Sequence, residues 1–124
     1  MKILTANGQV DLRSAVPFSE FLSVLDGEVD LREAPVTVGA LRRIGEYYDY
    51  YEGCPMAPLP ERAAARMVDM VQPWYAHFIS SFDERELHEL LVAADYLAFK
   101  EVLQLGCAYI ASRPREQIVS FLKK

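Results

Sequence analysis

The sequence predicts an α+β fold in which three short strands between Met1 and Arg32 pack on helices and give way to a helical remainder. Three observations lead there. Alternating apolar residues and an Asn-Gly pair dominate the first dozen residues, KILTANGQVDL. From Thr37 onward the apolar residues recur instead at steps of three and four, the spacing of a helix with one buried face. Strand-like segments do not return between the helices, which excludes the repeated β-α-β alternation of a doubly wound sheet.

Composition sets the outer bounds. A chain of 124 residues has room for one domain with a proper core and little material for a second. Its 52% hydrophobic and 25% charged content is that of a soluble globular protein, and the net charge of -5, with scattered basic residues, argues against a nucleic-acid binder. Lys2-Ile3-Leu4 gives way at once to polar residues, unlike a secretory signal, and the aliphatic run Leu90 to Ala94 is too short to span a bilayer. An intracellular protein without membrane association is expected. Cys54 lies in a Gly/Pro stretch and Cys107 on an apolar helix face, so two reduced thiols are expected rather than a disulfide.

Taken in order, Lys2 to Leu12 reads as a hairpin, because Asn7 and Gly8 both tolerate the positive φ of a type I′ turn and Val10 and Leu12 share a face. Ser14 can cap a short helical segment with Phe18, Phe21, Leu22 and Leu25 on one side, closed by Asp26-Gly27. Val29 and Leu31 alternate in a third strand, Glu28 to Arg32, expected to pair with the hairpin. From Thr37, residues Val38, Leu41, Ile44, Tyr48 and Tyr51 mark a helix that stops near Glu52-Gly53. Tyr47, Tyr48, Tyr50 and Tyr51 are spread round that helix, which suits core packing and not a flat stacking platform for bases.

GCPMAPLP, from Gly53 to Pro60, reads as an exposed flexible connector. A short helix follows from Pro60-Glu61 and ends at Pro73, and the linker as a whole covers 53–73. Trp74, Tyr75, Phe78, Ile79 and Phe82 form an aromatic cluster on another short helix. Asp83 and Glu86 make a capping box that starts a helix with Leu87, Leu90, Leu91, Ala94, Leu97 and Ala98 on its apolar side. The apolar phase slips near Ala98 and Phe99, where a second set begins at Val102, Leu103, Gly106, Cys107, Ile110 and Ala111. Two packed helices joined by a tight corner fit this better than one straight helix. Pro114 opens a last helix, REQIVSFLKK, with Ile118, Phe121 and Leu122 apolar.

Residues for chemistry are not brought together by this pattern. His77 and His88 lack a Cys, His or carboxylate at metal-ligand spacing, apart from the acidic neighbours of any solvated helix, so no metal is expected. Cys107 has no evident His partner, and the six glycines are too dispersed for a phosphate-binding loop. Asp83, Glu84, Glu86 and Glu89 stand where a cap and a solvated face need them. No enzyme and no cofactor are expected.

The string Ala93-Ala94-Asp95-Tyr96-Leu97, with Lys100, Leu103 and Cys107, resembles the A-A-N-Y-L-D-I-K-x-L-L-x-x-x-C segment of the S-phase kinase-associated adaptor family, relatives of elongin C. VDLREAPVTVGALRRIGEYYDYYEG is similar to that family's V-P-L-P-x-V strand and the helix after it, and Trp74 and Phe78 of WYAHF match its W-D-x-x-F entry. The resemblance extends over nearly the whole chain, 1-124, read as one unit with a β-β-α-β-α half at 1-52 and a helical half at 74-124. It implies a BTB/POZ fold and a non-catalytic adaptor that links a cullin to an F-box protein in a ubiquitin ligase, with cytoplasmic and nuclear residence. On this resemblance Asp95 and Tyr96 face the cullin, while Leu103, Cys107, Ile110, Ile118 and Phe121 face the F-box. Asp95 replaces the family's Asn, and the family's two last helices have no counterpart. Core packing remains the alternative for Tyr96 and for the F-box set, and a self-associating BTB-type scaffold, a homodimer when unliganded, is the alternative function.

Overall fold

The structure, a computed structural model, describes residues 1–59, Met67 and 70–112. Among these residues the fold is α+β: a three-stranded sheet followed by four helices. Strands β1 (Lys2–Thr5), β2 (Gly8–Asp11) and β3 (Glu28–Leu31) lie in the order β2-β1-β3, with β2 antiparallel and β3 parallel to β1. The parallel register sets Ile3 beside Val29 and Thr5 beside Leu31, and all four are buried. Period-two alternation thus gives the sheet one core face, as the sequence implies.

The hairpin turn sits one residue earlier than expected. Thr5 pairs with Gly8, so Ala6 and Asn7 form the loop, and neither has positive φ. A type I′ turn needs positive φ at both central residues. Here Gly8 alone makes that excursion, at φ +147°, and a Cβ on it would lie 3.0 Å from Val38 Cγ2. Asn7 is used differently: its Oδ1 accepts the Val38 N–H at 3.2 Å, while Thr37 Oγ1 accepts the Ala40 N–H at 3.1 Å. Two orphan donors at the start of α1 (Val38–Gly53) are satisfied in this way.

Between β2 and β3 the expected helix is replaced by two 3-10 turns, Val16–Phe18 and Leu22–Val24. Ser14 caps neither, and its hydroxyl donates to Asp49 instead. The buried positions are Leu12, Ala15, Ser19 and Leu22, which leaves Phe21 and Leu25 on the outside. Ser19, fully buried, explains the difference. Its hydroxyl donates to the Leu97 carbonyl and accepts the Leu22 N–H at 2.9 Å. A buried hydroxyl must find partners, and these turn its side of the segment inward.

Helix α2 (Pro73–Ser80) begins on Pro73, whose missing N–H is no loss at the first helical position. Helix α3 (Glu84–Tyr96) opens on the predicted capping box, with Asp83 accepting from Glu86 N at 2.7 Å and Glu86 accepting from Asp83 N at 3.2 Å. The corner before α4 (Lys100–Ser112) is also where the phase slip places it. Phe99 N–H reaches the Ala94 carbonyl at 2.8 Å and Ala98 N–H reaches Asp95 at 3.2 Å, with Ala98 at φ 56°. These are the two bonds of a Schellman cap, with alanine where glycine is usual. Helix α3 packs on both α1 and α4, and one core cluster extends from Ile3 to Leu105. Most of the short helix expected from Pro60, and the whole helix expected from Pro114, lie outside the described residues.

Candidate functional site

The α3–α4 corner divides its residues sharply. Ala93, Ala94, Leu97 and Phe99 are fully buried, whereas Asp95 is exposed and Tyr96 is 43% exposed. Tyr96 is therefore a surface residue in this chain and not part of the core. Its ring meets Phe21, with centroids 5.8 Å apart. The Ser19 bonds, a β-bridge from Ser19 to Phe99 and a Glu20 N–H to Ala98 carbonyl bond at 3.4 Å hold the 3-10 segment to the corner. Phe21 thus joins Tyr96 on one surface, and Val24 and Leu25, which follow it in the chain, are exposed too. Sequence reading assigned Phe21 and Leu25 to a buried helical side, and the available signal was Ser19, a polar residue in step with Ala15 and Leu22.

Along α4 the predicted set is split. Val102, Leu105 and Gly106 are buried. Leu103 and Ile110 are half-buried against the core, and Cys107 is exposed, so its thiol is not a core group. Leu103, Cys107 and Ile110 still lie within two turns of one helix, with the exposed Cys107 between two residues that touch the core. Ile118 and Phe121 lie outside the described residues. Cys54 and Cys107 are both free.

The tyrosines of α1 serve the interior. Tyr47 and Tyr48 are fully buried, and Tyr47 sits edge-on to Tyr48 and Tyr75. Burial pushes the hydroxyls of both far above the ordinary tyrosine range, and for Tyr48 the Glu101 carboxylate adds to the effect. Phe18 stacks on Tyr48 at 4.6 Å, and Tyr50 stacks on Trp74 at 4.1 Å with the rings nearly parallel. The Gly/Pro stretch is not a loose connector where it is described. Gln72 bridges it, donating to the Pro55 carbonyl at 2.8 Å and accepting the Ala57 N–H at 2.9 Å, and Tyr75 donates to the Cys54 carbonyl.

Two clefts flank α1 and α3. One of about 230 Å³ is lined by Arg43, Phe82, Glu86 and Glu89 among others, and one of about 450 Å³ by residues including Asn7, Val36, His88 and Val92. Neither is lined by Asp95, Tyr96, Leu103, Cys107 or Ile110. Among the described residues, no group of three or more His, Cys, Asp or Glu could hold a metal ion, and no helix is long and apolar enough to cross a membrane. No protein-family model matches the chain, and no curated protein matches it either.

Proposed function

We propose that the chain is a non-catalytic adaptor of BTB/POZ type that bridges a cullin scaffold and an F-box-type receptor in a ubiquitin ligase. The observation that carries the reading is Tyr96. A large aromatic stands exposed at the end of a helix whose neighbouring residues Ala93, Ala94 and Leu97 are fully buried, at the position the sequence resemblance gives to a cullin contact. Exposed Tyr is a common interface anchor, and truncating such an anchor typically costs about 2 kcal/mol or more of binding. The element order of sheet, aromatic-rich α1 and angled α3–α4 pair supports the same reading. Asp95 in place of Asn removes a donor, which weakens the contact with a cullin that offers an acceptor.

The receptor side is the part of α4 that carries Leu103, Cys107 and Ile110, and the other two residues of that set, Ile118 and Phe121, lie outside the described residues. The test mixes the full chain with a cullin amino-terminal repeat and an F-box peptide on a sizing column. A three-component complex is expected. Tyr96→Ala should lose the cullin with unchanged melting temperature and keep the F-box peptide; Ile110→Glu should do the reverse. A chain that takes neither ligand and elutes as a dimer would replace the adaptor reading with that of a self-associating scaffold.

A further inference from the structure

Asn7 is the sole asparagine of the chain, and Gly8 follows it. Both are exposed at the turn of the β1–β2 hairpin, and Asn7 lines the cleft of about 450 Å³ beside α3, so water reaches its side chain. The fold makes use of each member of the pair. Gly8 sits at φ +147° with Val38 Cγ2 3.0 Å from where a Cβ would stand, a position that disfavours any larger residue. Asn7 Oδ1 accepts the Val38 N–H at 3.2 Å, in the first turn of α1. Thr5 Oγ1 lies 3.0 Å from the same oxygen, its proton shared with the Gly8 carbonyl at 2.9 Å. Among the described residues, the hydrogen bonds of this side chain thus fall on Oδ1 and none on Nδ2.

We infer that Asn7 is a site of spontaneous deamidation, and that the aspartate it yields caps α1 better than the amide does. The Gly8 backbone nitrogen, having lost its proton, attacks Cγ of Asn7, and glycine has no side chain to hinder the approach. The Cγ–Nδ2 bond breaks, nitrogen leaves as ammonia, and a cyclic imide closes. Water then opens the ring with no change of oxidation state. Attack at Cγ restores the main chain and leaves an aspartate side chain; attack at the Asn7 main-chain carbonyl carbon routes the chain through Cβ and Cγ as isoaspartate. For the aspartate, the departing nitrogen gives up no hydrogen bond to a described residue, while the oxygen that meets Val38 and Thr5 is retained. Its negative charge stands at the amino-terminal end of α1, where the helix dipole favours it. Isoaspartate instead adds a methylene to the main chain at the turn whose closing pair is Thr5 and Gly8, which moves the acceptor off Val38. None of this depends on the adaptor reading.

The test incubates the full chain for several weeks at mildly alkaline pH, folded and, separately, unfolded in urea, with ion exchange and peptide mapping at intervals. The folded chain should give a more acidic form whose changed residue maps to Asn7. Asp26-Gly27 can isomerise through the same kind of imide, but without a change of charge, so the two sites are told apart. Two variants test the cap without waiting for the chemistry. Asn7→Asp should raise the melting temperature by roughly 2–5 °C, and Asn7→Ala, which removes the acceptor, should lower it by roughly 4–8 °C. A folded chain that gives no acidic form, whether or not the unfolded chain does, would overturn the modification site, as would an acidic form that maps elsewhere. An Asn7→Asp chain that melts no higher than the original would overturn the capping half of the inference.

Discussion

At Gly106 helix α4 approaches the Leu91 side chain of α3 closely, and replacing it tests that packing directly. A Cβ at Gly106 would fall 2.2 Å from Leu91 Cδ2 and 3.2 Å from its Cγ. Two effects oppose each other in Gly106→Ala. Alanine in a helix interior is favoured over glycine by about 1 kcal/mol. Against this, the Leu91 side chain must move as a whole, since its Cγ as well as its methyl is in the way, and overpacking of this kind costs about 1–3 kcal/mol. Leu91 is only half-buried, which gives it some room and places the cost near the middle of that range. The net expectation is a destabilisation of about 1 kcal/mol. Leu91→Ala removes the obstructing atoms, so in that background Gly106→Ala should stabilise by about 1 kcal/mol. The coupling between the two sites is then about 2 kcal/mol with a reversal of sign. Urea unfolding of the four proteins, followed by circular dichroism, measures it. An alanine at Gly106 that stabilises the original chain, or that has the same effect in both backgrounds, would refute the close-approach argument.

The buried tyrosines predict alkaline sensitivity. Tyr47 and Tyr48 keep their protons in the fold at pH values where the unfolded chain loses them, so their contribution is fully present below about pH 10 and is lost as pH rises beyond it. Each can lower stability by up to about 1.4 kcal/mol per pH unit. Tyr47→Phe should reduce the slope of urea-derived stability between about pH 10 and 11.5 by that amount, and an unchanged slope would contradict the burial assigned to it. At the corner, Ala98 holds a left-handed conformation that costs an L-residue about 1–2 kcal/mol, whereas glycine's extra unfolded-state freedom offsets about 0.5–1 kcal/mol. Ala98→Gly should raise the melting temperature by a few degrees, and a lower value would count against the Schellman geometry.

Local signals with strict stereochemistry were readable in the sequence. Asp83 and Glu86 announce their helix because the reciprocal cap needs those side chains at that spacing, and the slip at Ala98 and Phe99 announces the corner because one straight helix cannot bury both apolar sets. The third strand was equally clear from Val29 and Leu31, although its parallel pairing with β1 was not. What could not be read depends on partners distant in the chain. Asn7 is recruited by Val38, and so the turn forms at Ala6-Asn7. Gln72 and Tyr75 fasten a stretch whose three prolines suggest an open connector. Of the candidate surfaces, Tyr96 and Cys107 are exposed, which removes core packing as the alternative for both, whereas Phe21 and Leu25, grouped with Leu22 on one side of a helix, lie outside because periodicity carries no knowledge of Ser19.

The Ser19 hydroxyl and the Leu97 carbonyl are 78 residues apart in the chain. Closing so long a loop is entropically slow to be repaid, and contacts of this separation form after the local turns of helix and hairpin are in place. The aromatic pair of Phe21 and Tyr96 is thereby assembled late, from one residue before most of the core and one near its end. A nascent chain would emerge from synthesis with Phe21 and Val24 accessible for the whole interval before α3 arrives. During that interval they are open to the chaperones that recognise bare apolar side chains, and only completion of the corner converts them into a defined surface.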